Sequence, residues 1–534
     1  MNNPIGIILS GSLSEGLLMR ISGHESTTRI KSGRFVSIKS DDETFFSLVT
    51  DIKLSITHPE IPLAPPTMNE QLLMHAIKDR FLSLHATLRP LLMLDKDGKR
   101  KPVKTVPRHF SPVYEATDNE VALIFGRESD GSGRYFNLGT PLDMSAEVCI
   151  NLDALTERST GIFGKTGTGK TFLTRLVLAG LIKQNKALSI IFDMHSEYGS
   201  QARREGSTSS FVKGLKTLFP DKVAIFSLDP ESTRKRGGKV DVAVTIPYRA
   251  LQVQDIVSLQ EELNLHPTAY EAAYLLENVF KKEWLHQLLT YQGELKELAD
   301  RIGAHPESII ALHRKLKCIE RFPFITPEKA PGERDVVEEL VTYIDKGFSV
   351  IIEFGNFTST LCYLLVANII TRRIHTLYTK KTEYFLGTQR TEDEPRKLII
   401  AVEEAHKFLN PSAARQTIFG TIAREMRKYY VSLLVVDQRP SGIDPEVLSQ
   451  IGTKIIAQLH DEKDIVAVLG GMPNSSELRT ILSSLDSKKQ VLLAGHAVPM
   501  PLVIEPRTYD ETFYASLITR PHKDVLEQTI KDLF

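Results

Sequence analysis

The stretch Gly161-Ile162-Phe163-Gly164-Lys165-Thr166-Gly167-Thr168-Gly169-Lys170-Thr171 decides the fold. Its first residues continue Thr160 in a short apolar run that reads as a strand, and Lys170–Gln184 after it spaces as a helix. A strand, a glycine-rich turn and a helix in that order make a phosphate loop. Glycine at 164, 167 and 169 permits backbone angles that turn successive N–H groups toward one anion, and the helix N-terminus adds its positive end. On this reading Gly164, Lys165, Thr166, Gly167, Thr168, Gly169, Lys170, Thr171 and Phe172 form the nucleotide-binding segment. Lys170 bridges the β- and γ-phosphates of ATP, and the Thr171 hydroxyl ligates Mg2+.

Such a loop needs an acid at the end of a neighbouring strand. Leu398–His406, LIIAVEEAH, supplies five apolar residues and then Glu403 and Glu404. Glu403 is placed to hold metal-bound water, and Glu404 to polarise the attacking water as general base. Ser432–Pro440, SLLVVDQRP, ends a further strand in Gln438 and Arg439, where a polar group can sense the γ-phosphate. Thr421–Tyr430 puts Arg424, Arg427 and Lys428 on the helix leading into it, which is equally the pattern of a solvated basic face. In Ile190–Gly199, IIFDMHSEYG, Asp193 and Glu197 follow a strand. Both suit a metal shell, a subunit interface or the capping of a turn.

Outward from these motifs, residues 151–247 and 345–490 alternate strands with helices, which predicts a mainly parallel sheet covered by helices in an α/β core. Residues 248–344 interrupt the alternation with a helical insertion. Residues 1–150 read as a β-barrel-like domain, with strands at 5–10, 17–21, 35–40 and 45–52 and a helical spacing over 67–89. Residues 491–534 read as a closing hairpin and a helix.

Lysine plus arginine and aspartate plus glutamate number 66 each in 534 residues, so any nucleic-acid contact must use local patches rather than a whole-molecule field. Two basic runs qualify, Arg234-Lys235-Arg236 with Lys239 and Lys99-Arg100-Lys101 with Lys104, although each also suits a solvated loop. Cys149, Cys318 and Cys362 lie too far apart in sequence for a metal-ligand spacing. There is no signal-peptide pattern and no run of about 18 apolar residues, so no membrane span and a cytoplasmic location are expected.

GIFGKTGTGKT, IIFDMHSEYG, LIIAVEEAH and IAREMRK followed by DQRPSGIDPEVLSQIGTK stand in the order found in HerA, a hexameric DNA translocase of the FtsK/HerA ATPases, which the whole chain resembles. The resemblance implies a RecA-like core with a HAS-barrel-like N-terminal domain. It gives Glu403 and Glu404 the magnesium and catalytic-acid roles and Gln438 the sensor role. Arg424 or Arg427 is then the finger offered to the next subunit, and Arg158 matches a further basic position near nucleotide. Asp437 departs from the family, which has a small hydroxyl residue there. The implied function is an ATP-driven homo-hexameric double-stranded DNA translocase. Its implied partner is a separate nuclease or NAD-consuming effector on the barrel face, in DNA-end processing or phage defence. A conjugation- or secretion-type ATPase, or a ring scaffold whose nucleotide site controls an effector, are the alternatives.

Overall fold

β-Branched and aromatic residues recur between Gly, Ser and Asp turns in the first hundred positions, and they form strands. In the computed structural model six strands lie in the order Gly16–Ile21, Gly6–Ser12, Pro112–Glu115, Phe35–Ser40, Glu43–Ile56 and Leu82–Leu94. Pairing of Leu17–Arg20 with His85–Leu88 closes them into a barrel, which removes the free edges an open sheet would expose. Ile8, Met19, Val36, Ile38, Phe45, Val49, Leu88 and Val113 fill its core. Each such side chain contributes roughly 1.5–3 kcal/mol relative to exposure.

The structure describes residues 3–22, 30–56, 82–203, 211–327, 335–472, 475–486 and 489–517. Two compact units result, one of residues 1–170 and 434–506 and the other of 171–433 and 507–534.

Two expectations for the first unit need correction. Of the helical spacing over 67–89, residues 67–81 lie outside the described residues, and 82–89 are strand. Buried Ala86, Leu88, Pro90 and Leu92 alternate there with half-buried His85, Thr87, Arg89 and Leu91, the period of a strand with one face inward. The domain drawn as 1–150 also runs past the barrel. Tyr135–Pro141 pairs with Leu502–Pro506 and with Val148–Asn151, so both early strands belong to the sheet that carries the phosphate loop. That sheet runs Val431–Asp437, Thr160–Phe163, Thr453–Ile456, Val491–Gly495, Leu502–Pro506, Tyr135–Pro141, Val148–Asn151. The first three strands are parallel and the rest antiparallel, including the hairpin read from 491–506.

In the second unit five strands run parallel in the order Val242–Ala243, Val223–Ser227, Ser349–Glu353, Leu188–Asp193, Leu398–Glu403. Nearly every residue of the central strands is buried, because helices cover both faces of a parallel sheet. Six helices between Val253 and Leu316 form the insertion. Ile246–Pro247 pairs with Ile325–Thr326 and pins its two ends together. Its core centres on Trp284, fully buried, whose indole N–H donates to the Leu251 carbonyl at 2.9 Å. The helix Thr360–Thr388 is capped by the Ser359 hydroxyl and buries its first half. Among the described residues no helix is long and apolar enough to cross a membrane. All three cysteines are free thiols, and burial pushes Cys149 and Cys362 up to about 12.

Candidate active site

In the first unit, Thr160–Phe163 is buried at all four positions between two parallel neighbours. Register pairs Phe163 with Asp437, so the chain leaves both strands at the same level. The Gly164 N–H then donates to the Asp437 carbonyl at 3.3 Å and the Lys165 N–H to the Gln458 carbonyl at 3.1 Å. Beyond that anchor the loop is shaped for an anion. Gly167 and Gly169 sit at φ of 81° and 83°, angles that L side chains rarely adopt. At Gly167 an added Cβ would meet no atom within 4 Å, so the glycine serves backbone angle and ligand approach rather than packing. Thr168 Oγ1 and Lys170 Nζ both donate to the Lys165 carbonyl, at 2.8 and 3.1 Å.

The strand tips complete this half. Thr166 Oγ1 donates to Gln438 Oε1 at 2.6 Å, which brings the expected sensor to the loop. Asp437 is buried and its Oδ1 accepts the Arg439 N–H at 2.6 Å, which caps the turn after the strand. His460 Nε2 lies 2.5 Å from Lys165 Nζ, a contact that sequence reading missed, since a histidine after a strand carries no pattern.

In the second unit the helix Lys170–Lys183 carries a half-buried Thr171 in its first turn, where a hydroxyl can face a ligand. The Phe172 ring packs edge-on against Tyr509 at 5.7 Å, so its side chain is occupied by packing. Asp193 ends its strand fully buried, and its two oxygens accept N–H bonds from Glu197 at 2.8 Å and Tyr198 at 2.9 Å. Turn capping, the third of its readings, is the one its hydrogen bonds satisfy. Burial, then the neighbouring Glu353, pushes Asp193 up to about 7 against the pull of those bonds.

Glu403 ends the next strand. Its Oε1 accepts the Tyr198 hydroxyl at 2.6 Å, and its backbone carbonyl accepts the Tyr363 hydroxyl at 3.2 Å. Burial pushes it up to about 7, which the Tyr198 bond opposes. Both tyrosines are fully buried. Glu404 adopts a left-handed φ of 49°, strained for a residue with a Cβ, and strain of this kind collects at functional turns. Its Oε2 lies 3.7 Å from His406 Nδ1.

Each unit offers groups that suit a nucleotide with Mg2+: the first the loop N–H groups and Lys170, the second the oxygens of Thr171 and Glu403. Among the described residues no three His, Cys, Asp or Glu side chains form a cage. Mg2+ keeps most of its shell for water and phosphate oxygens, so two protein oxygens suit it.

The arginines differ in how they are engaged. Arg424 is half-buried, with Nη2 donating to the Ala414 carbonyl at 3.1 Å. Arg427 stands exposed on the turn Met426–Tyr429, and its side chain has no partner among the described residues. Arg158 is exposed at the end of the helix Leu152–Glu157 and lies against Gly452. The basic runs are partly committed. Arg236 bonds Glu353 and Ser232, Lys235 pairs with Glu231, Arg100 donates to the Leu123 carbonyl, and Lys101 pairs with Asp95. Arg234, Lys239, Lys99 and Lys104 remain exposed.

Residues 136–374 match the family described as "Helicase HerA, central domain". The DNA double-strand break repair helicase HerA of Sulfurisphaera tokodaii is 27% identical over 482 residues, 89% of this chain and 88% of the relative. The protein of the same name from Pyrococcus furiosus is 25% identical, covering 80% of this chain and 78% of its own. Among solved structures, VirB4 of Thermoanaerobacter pseudethanolicus aligns with a TM-score of 0.48 and 16% identity, covering 72% of this chain and 99% of its own.

Proposed function

We propose that the chain, whose residues 136–374 match the HerA helicase central domain, is an ATPase of that kind, and that it hydrolyses ATP to drive a ring of identical subunits along double-stranded DNA. The observation that carries this reading is the phosphate loop held open at Gly167 with Gln438 bonded to Thr166, a sensor contact that a mere phosphate-binding turn does not need.

In this mechanism the loop N–H groups and Lys170 hold the phosphates of ATP. Thr171 and Glu403 would hold Mg2+, which when bound would supply neutralisation of charge on the transferring phosphoryl group. Glu404 accepts the proton of the attacking water, and Gln438 orients the γ-phosphate. Arg427 reaches the nucleotide of the next subunit, because its side chain is exposed and has no partner among the described residues. Head-to-tail contacts of that kind close into a ring, and six is the number the family resemblance implies. Exposed Arg234, Lys239, Lys99 and Lys104 serve phosphate contacts to DNA. A separate nuclease or effector docks on the barrel unit, where Leu54 and Phe110 are 78% and 67% exposed.

Steady-state ATP hydrolysis with and without duplex DNA tests this. Turnover stimulated by duplex, lost in both Lys170→Ala and Glu404→Ala, is expected. A chain that hydrolyses no ATP, or keeps full activity as Glu404→Ala, would sink the motor reading.

A further inference from the structure

We propose that Tyr198 is a positioning residue for hydrolysis, its hydroxyl holding the Glu403 carboxylate in a fixed relation to the helix that begins at the phosphate loop. The proposal rests on Glu403 acting as the metal-site acid, as argued above.

Tyr198 is completely buried, and its hydroxyl reaches Glu403 Oε1 at 2.6 Å. A neutral donor to a carboxylate oxygen makes a short, charge-assisted bond, roughly twice as strong as one between neutral groups. Three contacts fix the tyrosine itself. Its N–H donates to Asp193 Oδ2 at 2.9 Å, which pins the turn after the strand Leu188–Asp193. The next residue, Gly199, is pressed so closely on Glu353 that an added Cβ would stand 2.0 Å from Glu353 Oε1. Above the ring lies the Arg175 guanidinium, 5.8 Å from the centroid, with Nε and Nη2 donating to the Glu197 carbonyl at 3.0 and 2.5 Å.

Arg175 matters because of its place on the helix Lys170–Lys183. It lies four residues after Thr171 and hence on the same helical face. The route from Thr171 to the carboxylate is therefore short and rigid: one helical turn, a buried guanidinium, a stacked ring and a hydroxyl. The backbone of Glu403 is held independently, by the Tyr363 hydroxyl on its carbonyl at 3.2 Å. Removing the Tyr198 hydroxyl thus frees the carboxylate without freeing the strand end. A buried tyrosine that merely needed an acceptor would affect stability alone; one that positions Glu403 affects turnover and metal dependence through Glu403.

The test uses full-length Tyr198→Phe, Glu403→Gln and the double variant. It reads turnover against ATP, and binding of a fluorescent ATP analogue titrated with Mg2+. Tyr198→Phe is expected to lower kcat by about tenfold, the effect of losing one charge-assisted hydrogen bond, and to leave the KM for ATP within about twofold. The Mg2+ needed for tight analogue binding rises several-fold. Adding Tyr198→Phe to Glu403→Gln changes neither readout by more than about twofold, because coupled residues are not additive. Wild-type turnover and Mg2+ dependence in Tyr198→Phe, or effects that multiply in the double variant, would overturn the proposal. A wild-type chain without ATPase activity overturns the reading of the site itself, and the positioning role with it.

Discussion

Thr166 Oγ1 donates to Gln438 Oε1 at 2.6 Å, so the phosphate loop and the tip of the neighbouring strand are joined by one hydroxyl. The contact predicts how substitutions sort. Thr166→Ser keeps the donor and retains near wild-type turnover. Thr166→Val and Gln438→Leu each lose it and lower kcat by about tenfold, one hydrogen bond to the reacting region. Steady-state kinetics decide the matter: Thr166→Val turning over at the wild-type rate would show the contact to be idle.

Much of both units was legible from the chain. Thr160–Phe163 and Leu398–Val402 read as strands because parallel strands, covered on both faces, are unbroken apolar runs, and the glycines between 164 and 169 read as an anion cradle for the same local reasons. The strand Leu82–Leu94 was illegible at its start, because a long window that begins before it imposes helical spacing on an alternating run. Barrel closure through Leu17–Arg20 and His85–Leu88 is a pairing across more than sixty residues, and no local period reports it. The assignment of Tyr135–Pro141 and Val148–Asn151 failed likewise, since antiparallel strands look alike in a barrel or at a sheet edge. Tyr198 and Arg175 were invisible for a third reason. A buried tyrosine looks like core until the atom its hydroxyl meets is known.

Trp284, the single tryptophan, sits at the centre of the helical insertion with its indole N–H on the Leu251 carbonyl. Its fluorescence is therefore a local probe. Emission is expected to be blue-shifted and poorly quenched in the native chain, and to move red when the insertion melts. Trp284→Phe leaves the Leu251 carbonyl unpaired and opens a void, costing about 2–4 kcal/mol. Thermal melts followed by circular dichroism check this, and an unchanged midpoint would contradict it.

Lys454 gives the pH dependence a sign. It lies buried in the strand Thr453–Ile456 with Nζ donating to the Val468 carbonyl at 2.7 Å, and burial lowers it from 10.5 to about 8. Between those values the unfolded chain carries the proton and the folded chain does not, so stability rises as pH climbs from about 8 to about 10.5. Below about 8 both states are charged and the cost of burying the ammonium is constant. Lys454→Met removes that cost but forfeits one hydrogen bond, for a net gain of about 1–2 kcal/mol at pH 7. Denaturant melts at pH 7, 8.5 and 10 should show the wild-type slope and its absence in the variant. A Lys454→Met protein that is less stable at pH 7 would show the ammonium to be compensated in the fold.

Arg424 and Arg427 are separated by what each already holds. Arg424 donates to the Ala414 carbonyl at 3.1 Å and helps fix its own helix, whereas Arg427 extends from a turn with no side-chain partner among the described residues. If Arg427 serves the neighbouring subunit's nucleotide, its loss and the loss of Lys170 strike different sites in a ring. A Lys170→Ala subunit still offers its arginine, and an Arg427→Ala subunit still binds ATP. Mixing the two inactive variants before assembly should therefore restore ATP hydrolysis, because some interfaces then combine an intact loop with an intact arginine. Such a finger contributes about 10³–10⁵ in kcat, so the rescued fraction stands well above background. Arg424→Ala, by contrast, should lower the melting temperature and be rescued poorly, its defect lying within its own subunit. Rescue of Arg424→Ala and not of Arg427→Ala would reverse the assignment, and rescue of neither would remove both from the shared site.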